Sequence, residues 1–291
     1  MSAVDRVARG PSRRQAVALL LGTVAARAAR LDALMDQERG CALLVDVAGR
    51  KLIAAHRPDL AASELDPPGS TVKPLALAAL ANAGKLGAGE EFPCPGRLRI
   101  AGESFSCSHP RLATPMVIRT ALAYSCNCFV AHFALRFAAG ELAAWLARAG
   151  MVSRAGLVGA AEASGRIQPA AAGVASQLQA LGERHIAVTA AGLAMAYRSL
   201  ALRAAPAILD GLEDAVQYGT AQRAAVPHLA VAGKTGSVRT ESGKVVAWFA
   251  GFAPSRAPRV VVTVMLQAPS GGADAAPVAG RILAAWQAGH L

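Results

Sequence analysis

The chain has 291 residues, 54% of them hydrophobic and 17% charged, so it can bury a sizeable core and is not a disordered polyelectrolyte. Its formal net charge is +11, of which residues 1–30 carry +5 from six arginines and one aspartate. That excess fits either an anionic partner or a solvated basic surface. It does not indicate nucleic acid, because no Lys/Arg cluster interleaves with aromatics and no nucleic-acid motif occurs.

The first segment, "PSRRQAVALLLGTVAARAA", pairs Arg13 and Arg14 ahead of an uncharged stretch from Gln15 to Ala26, followed by Ala26-Arg27-Ala28. This is the layout of a signal peptide over residues 1–30, with a start that resembles a twin-arginine export signal. The competing reading is a first amphipathic helix of the domain. No apolar run reaches the roughly 18 residues of a spanning helix. Export to the periplasm or cell envelope is the expectation, with one domain over 31–291.

Residues 41–56, "CALLVDVAGRKLIAAH", predict two strands around the turn Ala48-Gly49-Arg50. "PPGSTVKPLALAAL" then predicts a buried helix starting at Ser70. From there to about Ala225 the pattern is mostly helical. Thr114-Pro115 predicts the start of a helix running toward Tyr124. Further helices are expected over Cys128–Ala139 and Glu141–Ala149, and one with a Thr cap in "VTAAGLAMAYRSLAL" from Val188. The period then changes. "HLAVAGKTGSV", "VVAWFAGFAP" and "RVVVTVMLQA" read as an antiparallel meander, followed by an amphipathic helix over Ala275–Ala288. Two early and three late strands predict one five-stranded antiparallel sheet from 41–56 and 229–267. With flanking helices and an all-helical lobe over about 70–225, the class is α+β, and a site is expected between the lobes.

The five cysteines are Cys41, Cys94, Cys107, Cys126 and Cys128. With no C-x-x-C pair, a zinc or thioredoxin-type site is disfavoured, and neither metal nor cofactor is expected. Cys94 and Cys107 flank a polar, Gly-containing stretch, so a disulfide there is the expectation for an exported chain. Cys41 reads as a buried strand residue, and Cys126 as packing.

Ser70 and Lys73 lie three apart, on one face of the first turn. Ser70 reads as an N-cap or a nucleophile. Lys73, one of five lysines, reads as a snorkelling side chain or a paired, working one. Two further groups bear on the choice: Ser125-Cys126-Asn127 between two helices, and Lys234-Thr235-Gly236 on the first strand of the meander. Each is weak alone. The order S-x-x-K, S-x-N, K-T-G on a helix, a loop and a strand is a strong combination.

Over about residues 40–288 the chain resembles the transpeptidase domain of the penicillin-binding proteins, within the serine D,D-peptidase and β-lactamase-like superfamily. The likeness rests on "PPGSTVKPL", "ALAYSCNCFVAHFAL", "VTAAGLAMAYRSLA", "VQYGTA" and "VAGKTGSV" through "AWFAGFAP". It implies that Ser70 is acylated, that Lys73 is its base, that Ser125 relays the proton and that Asn127 orients Lys73 and the substrate. It implies further that Lys234 is catalytic, as a neighbouring cation that lowers the pKa of Lys73, and that Thr235 and Ser237 bind a terminal carboxylate with the help of its charge. The backbone N–H groups of Ser70 and Ser237 would form an oxyanion hole, and Gly236 would leave room for substrate along the strand edge. The implied activity is D,D-transpeptidation or D,D-carboxypeptidation at the D-Ala-D-Ala end of peptidoglycan stem peptides, with β-lactams as inhibitors.

Two departures stand out. Only about 40 residues precede the first strand, so a bare catalytic domain is expected, with delivery by a membrane-associated wall-synthesis partner. The family's V-T-P reads Val188-Thr189-Ala190 here. A serine β-lactamase is the rival enzyme; it needs a base for water, and Glu162 lacks the expected companions. A non-catalytic β-lactam sensor or wall-synthesis scaffold is the other alternative. Arg239 reads as a solvated strand-end residue, and His109 and His185 as structural or surface histidines.

Overall fold

The structure, a computed structural model, describes residues 26–159, 161–240 and 242–291. The expected signal segment therefore lies outside the described residues up to residue 25. A helix, α1, covers 26–34, and its Leu31, with Met35 just beyond, is buried in the domain core. Among the described residues no helix is long and apolar enough to cross a membrane.

The five-stranded antiparallel sheet is present. Its strands are β1 (Gly40–Asp46), β2 (Leu52–His56), β7 (Ala232–Arg239), β8 (Val245–Ala253) and β9 (Val260–Leu266), in the order β2-β1-β9-β8-β7. Strands β1 and β9 read as continuous apolar runs because both faces of the sheet are covered. Side chains alternate between two cores. Cys41, Leu43 and Val45 face the larger one, shared with the helical lobe. Ala42 and Leu44 face a smaller one with Leu31, Met35, Ile282 and Leu283. The last two come from the closing helix Ala276–Gln287. Strand β7 is one of the two edges, pairing with β8 from Ala232↔Phe252 to Arg239↔Val245.

Between β2 and β7 the chain forms helices α2 (Pro58–Ser63), α3 (Lys73–Asn82), α4 (Ile118–Ala123), α5 (Asn127–Ala134), α6 (Glu141–Arg148), α7 (Val174–Leu181), α8 (Ala190–Arg203) and α9 (Pro206–Gln217). The closing helix is α10. Helix α3 is buried from Lys73 to Leu80, which is why its sequence shows no polar face. Thr189 caps α8 as expected, accepting from Gly192 N at 3.0 Å.

Three expectations are corrected. Thr114-Pro115 does not cap a helix: Met116 is extended, exchanging backbone hydrogen bonds with Phe92, and α4 begins only after Val117. Helix α5 ends at Ala134, where turn-type bonds from Leu135 to Phe137 replace the helical ladder. The lobe is also not all helical. It holds a small hairpin, β3 (Arg97–Ile100) with β4 (Glu103–Ser106), and a two-residue antiparallel pair, β5 (Arg166–Ile167) with β6 (Ile186–Ala187), whose strands are joined through α7. Ala101 and Gly102, both at positive φ, make the two-residue turn between β3 and β4.

Candidate active site

Ser70 lies in a 3₁₀ turn, Gly69–Val72, and α3 starts at Lys73. Its side chain caps neither element, so the N-cap reading fails. The turn is held from several sides. Tyr197 of α8, fully buried, donates its hydroxyl to Thr71 O at 2.8 Å. Trp248 of β8 donates Nε1–H to Pro67 O at 3.0 Å. Gly69 N–H donates to Gly182 O at 3.1 Å. The packing is so close that a Cβ on Gly182 would lie 2.1 Å from Gly69 O, and one on Gly236 would lie 2.7 Å from Pro68 O. Gly236 is thus required by the approach of the Ser70 turn to β7, a different reason from the substrate clearance expected of it.

Lys73 is completely buried, which excludes snorkelling. Its Nζ donates to Ser125 O at 2.8 Å, to Ser125 Oγ at 3.3 Å and to Asn127 Oδ1. Burial lowers its pKa to about 8. Ser125 sits at φ +57, a left-handed conformation uncommon outside glycine, at the bend joining α4 to α5. Asn127 spans the site, donating Nδ2–H to Ser106 O at 2.9 Å. Lys234 is also fully buried, and burial followed by the Lys73 charge holds its pKa well below the ordinary value.

Ser70, Ser125, Asn127, Thr235, Gly236 and Ser237 line one groove of about 330 Å³. Lys73 and Lys234 lie behind its wall. Strand β7 forms one side, and its Ser237 peptide abuts Gly69, whose added Cβ would lie 3.4 Å from Ser237 N. Thr235 Oγ1 donates to Thr220 Oγ1 at 3.1 Å, and Ser237 Oγ accepts from Gly271 N–H at 2.9 Å. The groove is rich in hydroxyls and backs onto two buried amines. Such a site can deprotonate a serine through Lys73 and hold an anion against β7.

Several contributors are not evident in the sequence. Ser108, Thr220, Ser270 and Gly272 also line the groove. Of these, Thr220 falls within the quoted "VQYGTA", which pointed to it without naming a role. Glu183 follows the Gly182 that touches the Ser70 turn, and burial raises its pKa while the Lys73 charge lowers it. Glu162 is structural: its carboxylate accepts from the N–H groups of Gly156, Leu157 and Val158, each at 2.6 Å. Arg239 is an exposed strand-end residue bonded to Gly243 O, and His185 faces Gln168.

The expected Cys94–Cys107 disulfide is not formed: the sulfurs are 3.7 Å apart, against about 2.05 Å in the bond. Cys126, expected only to pack, lies 3.4 Å from Cys94 and caps α5 by accepting from Phe129 N–H. His109 lies with them, its Nε2 3.5 Å from Cys94 Sγ, in keeping with the structural side of its reading. Cys41 is buried in β1 as expected, with its pKa pushed up to about 12 by burial.

The sequence profile described as "Penicillin binding protein transpeptidase domain" matches residues 40–217 and 203–284. No curated protein matches the chain. Among solved structures, it is similar to the transpeptidase domain of Burkholderia pseudomallei penicillin-binding protein 3. That match has a TM-score of 0.80 at 19% identity and covers 92% of this chain and 94% of the other. A peptidoglycan glycosyltransferase from Burkholderia ambifaria matches with a TM-score of 0.80 at 20% identity, over 92% and 96%. Pseudomonas aeruginosa PBP2, in complex with WCK 5153, matches with a TM-score of 0.76 at 19% identity, over 88% and 75%. At these identities the likeness is one of fold.

Proposed function

The chain belongs to the penicillin-binding protein transpeptidase domain family, and on that premise we propose that it is a serine D,D-peptidase of peptidoglycan that works through an acyl-enzyme at Ser70. The observation that carries the reading is Lys73, buried, lowered in pKa and hydrogen-bonded to Ser125 and Asn127, one turn from Ser70. Neutral Lys73 takes the Ser70 proton as the hydroxyl attacks the carbonyl of the penultimate D-Ala. The N–H groups of Ser70 and Ser237 hold the oxyanion. The peptide bond breaks, and the proton passes through Ser125 to the leaving D-Ala amine. The substrate lies along β7 with its carboxylate near Thr235, Ser237 and the Lys234 charge. An amine from a second stem peptide then completes transpeptidation, or water completes carboxypeptidation. The same serine opens a β-lactam. We place the protein in the periplasm or cell envelope, working with a membrane-associated wall-synthesis partner; the signal-like pattern of residues 1–30 supports this.

Glu183 favours a second reading, in which hydrolysis dominates and the enzyme is a serine β-lactamase. It is a mostly buried carboxylate close enough to Lys73 for each charge to act on the other. A carboxylate there could activate water.

Intact-protein mass spectrometry after incubation with a penicillin separates the readings, with Ser70→Ala as reference. A persistent single adduct, absent from the variant, is the expected result. Rapid drug hydrolysis without an adduct would mean a β-lactamase, and no reaction with the drug intact would mean a scaffold.

A further inference from the structure

Three cysteines and a histidine that the sequence scatters over thirty-three positions meet beside the S-x-N bend. The ligand atoms of Cys94, Cys107, His109 and Cys126 all lie within 4.8 Å of one another. We propose that these four side chains bind one zinc ion, which pins the Ser125–Asn127 bend to the β3–β4 hairpin; this inference does not depend on the reaction assigned to Ser70.

The spacing is that of a tetrahedral site. Four-coordinate zinc with Zn–S near 2.3 Å and Zn–N near 2.05 Å sets the sulfurs about 3.8 Å apart, and sulfur about 3.5 Å from nitrogen. The observed separations are 3.7 Å for Cys94–Cys107, 3.8 Å for Cys107–Cys126 and 3.4 Å for Cys94–Cys126. His109 Nε2 lies 3.5 Å from Cys94 Sγ. Four of the six pairwise separations thus stand close to ligand-to-ligand distances, and the other two are within 4.8 Å.

Neighbouring groups support the same use. His109 Nδ1 lies 2.8 Å from Pro110 O, so the ring proton belongs on Nδ1 and the Nε2 lone pair faces the sulfurs. Gly96 N–H donates to Cys94 Sγ at 3.3 Å, and Phe129 N–H donates to Cys126 Sγ at 3.4 Å. Backbone N–H groups aimed at sulfur stabilise thiolates. Binding forms three Zn–S bonds and one Zn–N bond, and the thiol protons leave to water. No oxidant takes part. Four protein ligands close the coordination sphere, which is the pattern of a structural zinc. A shallow cavity of about 130 Å³ lined by Cys94, Gly96 and His109 gives the ion a route in.

The function of the ion follows from chain connectivity. Cys126 stands between Ser125, whose carbonyl and hydroxyl accept from Lys73, and Asn127, whose amide does the same. Cys94, Cys107 and His109 flank the β3–β4 hairpin, which touches the bend through the Asn127–Ser106 bond. The zinc would hold the hairpin and the bend in one register, and with them the partners of Lys73. Cys128, buried with its sulfur 3.6 Å from Cys107, is not one of the four mutually close ligands and is not required.

The test is metal content, read without any enzymatic assay. The full chain is purified under reducing conditions without chelator, and its zinc is counted by plasma mass spectrometry. About one zinc per chain is expected, falling at least tenfold in Cys94→Ser and His109→Ala and unchanged in Cys41→Ser. Cobalt added to chelator-stripped wild type provides a readout independent of variant folding. The expected spectrum is the intense ligand-field and sulfur-to-cobalt charge-transfer absorption of a tetrahedral thiolate site. Chelation should also speed amide exchange in residues 121–130. Wild type that holds no zinc and shows no cobalt–thiolate absorption would overturn the proposal, as would a native Cys94–Cys107 disulfide. Unchanged exchange on chelation would overturn the pinning role.

Discussion

If Lys73 is the base for Ser70, the rate of acylation must follow the neutral fraction of its amine. Burial sets that amine at about 8, against an ordinary 10.5. At a pKa of about 8, roughly a tenth of the enzyme carries neutral Lys73 at pH 7, about half at pH 8 and about nine-tenths at pH 9. Acylation by a fluorescent penicillin, followed by stopped flow, should therefore rise about tenfold from pH 7 to 9 and then level off. A lysine left at its ordinary value would give about a hundredfold rise over the same interval, with no plateau by pH 9. Because Lys234 also feels the Lys73 charge, the inflection belongs to the coupled pair, and the levelling is the diagnostic feature. A rate that is flat from pH 6 to 9, or one still climbing tenfold per pH unit above 9, would refute the assignment of Lys73 as a desolvated base.

Glu183 supports the charged form of Lys73, so Glu183→Gln should move that inflection to lower pH, measured in the same stopped-flow assay. If hydrolysis of the acyl-enzyme also slows at least tenfold, Glu183 is the water-activating group of the second reading. Gly236→Ala would force its Cβ to 2.7 Å from Pro68 O, so β7 or the Ser70 turn must shift; acylation should fall by at least a hundredfold. Circular dichroism checks that the variant remains folded. Asp214, buried in α9, accepts from Arg119 of α4 and from the Tyr218 hydroxyl. Asp214→Asn should reduce stability by about 2 kcal/mol in urea unfolding. Although burial opposes it, the hydrogen bonds from Arg119 and Tyr218 lower the pKa of Asp214. Its contribution is therefore complete above the ordinary aspartate range and is lost as pH falls through the lowered value, so the variant should narrow its deficit in acid.

The sheet was legible because β1 and β9 are apolar runs bounded by turn chemistry, and the three motifs were legible because each is contiguous. What holds the motifs together was not. Tyr197, Trp248 and Gly182 all act on the Ser70 turn from more than a hundred residues away, and no local pattern marks them. Hairpin β3–β4 was missed because a helical reading was extended across four-residue strands whose only signal is the Ala101-Gly102 turn. The cysteine cluster was missed for a related reason. Paired C-x-x-C ligands are visible because two come from one loop, whereas here Cys94, Cys107 and Cys126 come from separate segments. Reading the nearest pair as a disulfide was reasonable on spacing and fails on distance.

The turn that presents Ser70 is fastened by α8, by β8, by the start of the loop after α7 and by close contact with β7. Each of those segments lies more than a hundred residues along the chain from the turn, so none of the fastenings can form early by local closure. A reactive serine should therefore come into being only at the last stage of refolding, when the sheet edge docks on the helical lobe. Covalent labelling by a penicillin would then count finished molecules, excluding collapsed intermediates that already have native helix content.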